Sequence, residues 1–229
     1  MAELYDAVPL SPLRKVIAAR MSEAKRTIPH FRLVADMELD ALLTSRAHAN
    51  EGTDVKISVN DCLIKACATT LIAHPRINSQ FVDSVEHRYR QADISIVVAV
   101  DGGLSTPVIR QADKKTVREI AAEAKDLATR AAAGQLKMAE ITGGSFSISN
   151  LGGYDVEQFD AIINAPQCAI LALGRAKPRP VVGTSRELRV ATVLRATLSV
   201  DHRVIDGTTG AAFLSSLRQA VENPQAIFA

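Results

Sequence analysis

The chain has 229 residues, of which 47% are hydrophobic and 23% charged, as in globular proteins that bury a sizeable core. Lys and Arg number 27 and Asp and Glu 25, so charge gives no reason to expect nucleic acid or a membrane as a partner. The three cysteines form no disulfide framework or metal motif, and no signal peptide or membrane-spanning stretch is visible. We therefore expect a cytoplasmic or organellar-matrix protein that is not secreted and holds no metal.

The hydrophobic pattern predicts alternating helices and strands along the chain. A linker remnant over residues 1–8 precedes a basic surface helix that begins near Ser11. Later helices are predicted near 40–50, from Val59 with Ser58 or Asn60 as its cap, at 115–133 and at 208–222. Strands are predicted at 30–39, 94–100, 145–150, 168–174 and 188–200, the second of them covered on both faces. These elements indicate a single α/β domain over residues 9–229.

The motif DHRVIDG, residues 201–207, lies where an alternating strand ends and a helix begins. His202 follows one carboxylate, Asp201, and precedes another, Asp206. A neutral imidazole accepts a proton near pH 7, and neighbouring carboxylates can fix its tautomer. The motif is compatible with a general base and also with a solvated histidine in a turn. The other histidines lack metal-ligand spacing.

A second motif, TGGSFSISNLGG at residues 142–153, has glycine pairs on both sides of a short strand. Ser145, Ser147 and Ser149 alternate along this strand and therefore project from one face. A serine hydroxyl on a rigid strand can donate to a developing oxyanion, whereas the glycine pairs by themselves indicate tight turns. The segment DGGLSTPVI, residues 101–109, predicts a hairpin-like structural connection.

The order of six segments resembles the catalytic domain of the 2-oxo acid dehydrogenase dihydrolipoamide acyltransferases. The segments are SPLRKVIAARM (11–21), TIPHF (27–31), GLSTPVI (103–109), TGGSFSISNLGG (142–153), AIINAPQCAILALG (161–174) and DHRVIDG (201–207). The resemblance covers residues 9–229 and implies a chloramphenicol acetyltransferase-like fold, with a mixed sheet flanked by helices. It also implies an acyltransferase that moves an acyl group between dihydrolipoamide and coenzyme A.

The resemblance further implies a role for each matching residue. His202 matches the general base that takes the proton from the attacking thiol, and Ser149 matches the hydroxyl that hydrogen-bonds the tetrahedral oxyanion. Asp206 matches a position that supports the site. The positions that resemble the family's coenzyme A contacts are Arg46, Ser58, Asp101, Ser149 and Asn150. Both reacting thiols belong to substrates, so no acyl-enzyme is expected.

The same resemblance implies a homotrimer with each active site between two subunits, assembled into a larger core. Coenzyme A would enter an interface channel from one side, and a lipoyl group carried on a separate domain from the other. A decarboxylase and a lipoamide dehydrogenase are the further partners implied. The terminal Ile227 and Phe228 would join trimers together or form a frayed tail.

Two alternatives stay open alongside the enzyme. The first is a non-catalytic scaffold with the same fold, and the second is a stand-alone acetyltransferase for a small molecule. The acyl group is also open among acetyl, succinyl and branched-chain acyl. Residues 154–158 depart from the shorter apolar turn common in the family and are expected to border the acyl pocket.

Overall fold

A computed structural model describes residues 4–183 and 185–229, and the first three residues of the predicted linker remnant lie outside these ranges. The helices in the described ranges are α1 (Pro12–Thr27), α2 (Asp40–Ala49), α3 (Val59–Ala73), α4 (Val117–Ala132) and α5 (Gly207–Glu222). The strands are β1 (His30–Glu38), β2 (Ser79–Val82), β3 (Val85–Arg88), β4 (Ile94–Ile96), β5 (Val98–Val100), β6 (Gly103–Ser105), β7 (Val108–Ile109), β8 (Phe146–Asn150), β9 (Ala169–Leu173), β10 (Lys177–Val182) and β11 (Leu188–Asp201).

One mixed sheet organises the molecule, with strands in the order β1-β11-β9-β8-β4-β7. β8 runs parallel to β4 and to β9. The pairs β1–β11, β9–β11 and β4–β7 are antiparallel. β10 pairs with the first half of β11, beyond the end of β9. This arrangement confirms the predicted mixed sheet flanked by helices.

The two faces of the sheet bury different neighbours. Leu171 and Leu198 belong to the large apolar cluster that includes Phe213 of α5. Ile170, the neighbour of Leu171 on β9, belongs instead to a small cluster with Ala24 of α1. Because successive strand residues point to opposite faces, α1 covers the face away from the main core.

Side-chain caps explain why the predicted helices begin where they do. Ser58 and Asp61 form a reciprocal capping box at α3, and Thr116 and Glu119 form another at α4. Ser11 accepts a hydrogen bond from the backbone of α1 at 3.2 Å. The predicted helix bounds are correct to within about two residues at these ends.

The prediction of one strand over residues 94–100 is wrong. β4 stays in the main sheet, whereas β5 pairs antiparallel with β6 in a separate hairpin. The backbone turns at Gly102, whose φ of +73° suits glycine. A run of β-branched residues does not distinguish one doubly covered strand from two consecutive strands, because both favour the same residue types.

Candidate active site

His202 immediately follows β11 and is exposed. Its backbone N–H donates to the carbonyl of Pro29 at 3.1 Å. The ring packs edge-on against Phe31, with centroids 5.0 Å apart. No described residue hydrogen-bonds either ring nitrogen of His202. The imidazole is therefore held in place through its backbone and one aromatic contact, and its nitrogens stay open to a ligand.

Asp201 does not hold the His202 ring. Its carboxylate is buried and accepts hydrogen bonds from Arg203, from Nη2 at 2.7 Å, from Nε at 3.0 Å and from the backbone N–H at 3.0 Å. The guanidinium of Arg203 in turn lies 4.5 Å from the centroid of the Phe81 ring. The sequence-based idea that Asp201 fixes the histidine tautomer therefore finds no support among the contacts of residues 4–183 and 185–229.

Asp206 is the N-cap of α5. Its Oδ1 accepts hydrogen bonds from the backbone N–H of Thr209 and the hydroxyl of Thr208, both at 2.8 Å, and Arg76 lies 3.3 Å from Oδ2. These bonds, led by that of Thr209, hold the pKa of Asp206 well below its ordinary value. Asp206 thus fixes the turn that carries His202, and within the described residues it forms no hydrogen bond with His202.

Ser147 and Ser149 alternate along β8 and Ser145 immediately precedes it, but the three hydroxyls have different surroundings. Ser145 is buried and accepts from the backbone N–H of Asp93 at 3.1 Å. Ser147 is buried and donates to Gln167 at 2.5 Å. Ser149 is half-buried, and no residue in the described ranges takes its hydroxyl. Only Ser149 is therefore free to donate to a substrate.

Ser149 lines a largely apolar cavity of about 410 Å³, here called the Ser149 pocket. Its walls come from α1, from the connection after β4 and from the segment after β8, with Met21, Val97, Phe159, Ile162 and Ile170 among its lining residues. Residues 154–158, predicted to border the acyl pocket, do not line this cavity. Asp155 pairs instead with Lys177 at 2.8 Å and Glu157 with Arg179 at 2.9 Å. The wall of the Ser149 pocket begins at Phe159, and the preceding turn pairs with β10 instead.

A second cavity, the Ser58 cleft, measures about 620 Å³ and lies between the start of α3, the β4–β5 connection and α4. Ser58 and Asn60 line it, and Val97 lines both this cleft and the Ser149 pocket. The amide of Asn150 donates to Asn60 at 2.8 Å. The two cavities are therefore adjacent, and Asn150 contacts the side chain at the mouth of the cleft.

Two predicted coenzyme A contacts lie less centrally. Arg46 donates to the carbonyl of Ile57, next to Ser58, at 3.3 Å, while its Nε is buried without a hydrogen-bond partner in the described chain. Asp101 lies in the turn between β5 and β6 and is exposed. The structure thus brings Arg46, Ser58 and Asn150 to one region and leaves Asp101 on the neighbouring hairpin.

His202 and Ser149 of one chain are far apart. Ser149 is level with Ala172 and Thr197 across the sheet, and Asp201 lies further along β11. Four residues at about 3.3 Å and two strand spacings of about 4.8 Å separate the Cα atoms of Ser149 and Asp201 by roughly 16 Å. A base and an oxyanion donor must each lie about 3 Å from one reacting centre. The strand register by itself therefore does not bring the two groups to one thioester within a single copy of the chain.

The cysteines are not part of this site. Cys62 and Cys67 are small core residues, as predicted, and Cys168 is buried as well. Burial raises the pKa of Cys62 to about 12 and that of Cys168 to about 11. A protonated, buried thiol is a poor nucleophile at neutral pH.

A family model described as 2-oxoacid dehydrogenases acyltransferase (catalytic domain) matches residues 2–229. The chain belongs to this acyltransferase family. The acetyltransferase component of the pyruvate dehydrogenase complex of Zymomonas mobilis is 45% identical over 228 residues, covering 98% of this chain and 52% of that protein. The mitochondrial component of Dictyostelium discoideum is 44% identical, covering 96% of this chain and 35% of that protein. The chain thus spans about half, or less, of these relatives' length.

Solved structures agree with this membership. Azotobacter vinelandii dihydrolipoamide acetyltransferase superposes with a TM-score of 0.94 at 31% identity, covering 100% of this chain and 96% of that chain. Chloramphenicol acetyltransferase superposes with a TM-score of 0.54 at 13% identity, covering 90% and 92%. The second likeness concerns the fold alone and confirms the expected fold class of the acyltransferase domain. None of the helices in residues 4–183 and 185–229 could cross a membrane.

Sequence reasoning missed several residues that shape the acyltransferase site. Arg76 binds the carbonyl of Val204 at 2.7 Å as well as Asp206, which ties the DHRVIDG turn to the end of α3. Phe31 packs on His202 from a strand distant in sequence. Gln167 holds β8 in place by accepting a hydrogen bond from the hydroxyl of Ser147. Phe31 lies in the TIPHF motif and Gln167 in the AIINAPQCAILALG segment, whereas the sequence contained no local signal for Arg76.

Proposed function

We propose that this chain transfers an acyl group between a dihydrolipoyl thiol and coenzyme A, with His202 as general base and Ser149 as oxyanion donor. One observation carries the proposal: the nitrogens of His202 and the hydroxyl of Ser149 have no partner among the described residues, whereas Asp201, Ser145 and Ser147 are fully engaged. Work on the Azotobacter vinelandii enzyme concerns a serine, a histidine and an asparagine in its catalytic mechanism. In that enzyme the histidine and the asparagine are four positions apart, as His202 and Asp206 are here.

The chemistry requires one proton acceptor and one hydrogen-bond donor. As the attacking sulfur bonds to the thioester carbon, its proton passes to His202 and the carbonyl electron pair moves onto oxygen. The Ser149 hydroxyl donates to that oxyanion. When the intermediate collapses, the bond to the other sulfur breaks and His202 returns the proton to the departing thiolate. Base assistance contributes about 10²–10⁴-fold, and one oxyanion donor contributes about 10²–10³-fold.

The two adjacent cavities support a route for coenzyme A. We assign the molecule to the Ser58 cleft, with Arg46, Ser58, Asp101 and Asn150 as its contacts. The shared wall at Val97 would let its thiol arm reach Ser149 in the neighbouring pocket. The dihydrolipoyl arm would come from a separate lipoyl domain, on the side where His202 is contributed.

The separation of His202 from Ser149 supports a site built by two copies of the chain. A ring in which each copy presents its His202 to the Ser149 pocket of the next is a heterologous, closed assembly. We propose a homotrimer of the domain 9–229, with residues 1–8 as the end of a linker and the trimers joined into a larger core. A lipoyl domain, a decarboxylase and a lipoamide dehydrogenase are its proposed partners. A structure with a TM-score of 0.94 to this chain comes from the cubic core of a pyruvate dehydrogenase complex.

Acetyl is the acyl group that we propose, because the relatives from Zymomonas mobilis and Azotobacter vinelandii are acetyltransferases. The assay measures transfer from acetyl-, succinyl- and isobutyryl-CoA to free dihydrolipoamide. Wild type should use acetyl-CoA best. His202→Ala should lose about 10²–10⁴-fold in kcat, and His87→Ala, which truncates an exposed side chain on β3, should lose nothing.

The alternatives predict other outcomes of the same assay. An assembled wild-type protein that is inactive with every acyl-CoA would support the scaffold. Acetyl transfer that ignores dihydrolipoamide and lipoyl domains but uses a small amine or alcohol would support a stand-alone acetyltransferase.

A further inference from the structure

His30, the first residue of β1, is held between two backbone groups. Its Nδ1 lies 2.9 Å from the carbonyl oxygen of Ile28. Its Nε2 lies 3.1 Å from the backbone nitrogen of Ile163. A carbonyl can only accept and a peptide N–H can only donate, so Nδ1 carries the proton and Nε2 is bare. Both neighbours are thus satisfied only by the neutral imidazole in this one tautomer.

The Ile163 end of this clamp adjoins a partition between two cavities. The segment 160–162 lines the Ser149 pocket on one side. On the other side it lines a cavity of about 470 Å³, here called the Phe31 cavity, together with His30 and Phe31. The segment is therefore a thin wall, and the bond from Ile163 to His30 fixes its far end.

The β1 end of the clamp adjoins the proposed base. Pro29 accepts the backbone N–H of His202 at 3.1 Å, and Phe31 packs against the His202 ring. Successive strand residues point to opposite faces, so His30 reaches the partition while Phe31 reaches His202. Arg32, on the same face as His30, forms a second, exposed ion pair with Asp160. Exposed pairs contribute little, so the half-buried His30 is the main connection.

We propose that His30 is a positioning residue for acyl transfer: its neutral imidazole fixes the wall of the Ser149 pocket to the segment that holds His202. This inference rests on the proposed function. In the proposed trimer, one imidazole would set the acyl pocket of one active site and the base of the next. Displacing the wall changes the room for an acyl chain, and a misplacement of about 1 Å can reduce a rate by about 10²-fold.

The experiment compares His30→Ala, His30→Asn and His30→Gln. The asparagine amide can replace the donor at Nδ1 but leaves the Ile163 N–H without an acceptor. The glutamine oxygen reaches further, to the position of Nε2. The readout is the ratio of kcat/KM for acetyl-CoA to that for isobutyryl-CoA, with dihydrolipoamide saturating. A loss of folded protein lowers both values equally and cancels in the ratio, so a merely structural role leaves it unchanged.

We expect the ratio to change by about 5-fold or more in His30→Ala and His30→Asn, and to stay near wild type in His30→Gln. Hydrogen exchange at the Ile163 amide should accelerate in the first two variants alone. The matched control is His74→Ala, which removes a half-buried histidine bonded to Ser216 at 2.9 Å and should leave the ratio unchanged.

Unchanged ratios in all three variants, with wild type active, would overturn the positioning role and leave the proposed function intact. If His30→Ala does not fold, the ratios of His30→Asn and His30→Gln still test the positioning role, since each variant keeps one of the two hydrogen bonds. An inactive wild type would overturn the proposed function and this inference with it.

Discussion

The serines of β8 have the same chemical group but differ in what surrounds it. Ser147 lies two residues before Ser149 on β8, and its hydroxyl donates a hydrogen bond to the side chain of Gln167. Ser149 lies at the edge of an open pocket. A donor can stabilise a transition state only if no protein group already holds it. Residue type and spacing therefore left three candidates, and burial reduces them to one.

Replacing Ser149 by alanine should lower kcat by about 10²–10³-fold with little change in KM, because the lost bond forms mainly in the transition state. Steady-state kinetics with acetyl-CoA measure both constants. Ser147→Ala is the control: it should destabilise the protein by about 1–3 kcal/mol by leaving the buried Oε1 of Gln167 without its donor, while the folded fraction keeps its kcat. Equal losses of kcat in the two variants would contradict the role of Ser149.

Asp206 makes a prediction about pH. Its pKa is lowered in the folded state from 3.8, mainly by the N–H of Thr209, so its contribution to stability is present above pH 3.8. That contribution is lost as the pH falls below 3.8 toward the folded-state pKa. Asp206→Asn also caps a helix but does not titrate. Between pH 7 and pH 3, the melting temperature of wild type should fall further than that of Asp206→Asn.

If the melting temperatures of the two proteins fell by the same amount over that pH range, Asp206 would not be the group that causes the loss of stability. Other carboxyls with lowered pKa values, Asp36 among them, titrate in both proteins and cancel in the comparison.

At the scale of elements, the sequence predicts those whose signals are local. Ser58 and Thr116 cap their helices three residues before an acidic partner, which is a short-range pattern. The elements that were missed depend on distant pairing. β10 contains Pro178 and Pro180, which argue against a strand in isolation, but it pairs with β11. The turn between β2 and β3 is formed by Asp83 and Ser84, both at positive φ. The sequence has no glycine at these positions that would have predicted the turn.

The sequence also did not decide whether the C-terminal residues pack against the protein or fray. Pro224–Ile227 forms a short 3₁₀ helix, and Ile227 is buried in the main core instead of fraying. Ile227→Ala should therefore destabilise the protein by about 2–5 kcal/mol. Thermal melting at fixed protein concentration measures this loss. Met138→Ala, which truncates an exposed side chain, should change the melting temperature very little. An unaltered melting temperature in Ile227→Ala would mean that the tail is not packed in solution.

At the scale of the whole molecule, we propose that the two halves of the site belong to different copies of the chain. Motifs identify His202 and Ser149, but spacing in sequence says nothing about their separation in space. The register of β8, β9 and β11 supplies that distance. The cavities beside Val97 likewise come from packing of distant segments, so they could not be predicted from any one motif.

Mixed assemblies test this arrangement. His202→Ala and Ser149→Ala should each be nearly inactive alone. When the two variants are dissociated together and reassembled, about one quarter of the sites in random rings combine an intact His202 with an intact Ser149. Activity should therefore recover to about a quarter of wild type. No recovery in properly reassembled mixtures would mean that both residues act within one chain.

The burial of the three cysteines has a consequence for the proposed reaction, in which an acyl group passes from the sulfur of one carrier to that of another. Every turnover brings a free sulfhydryl next to a reactive thioester, and an accessible cysteine could capture the acyl group or form a mixed disulfide with the carrier. Cys62, Cys67 and Cys168 are withdrawn from solvent and protonated. Under the proposed function, the cysteines of the protein would therefore take no part in the exchange of thiols and thioesters at the active site.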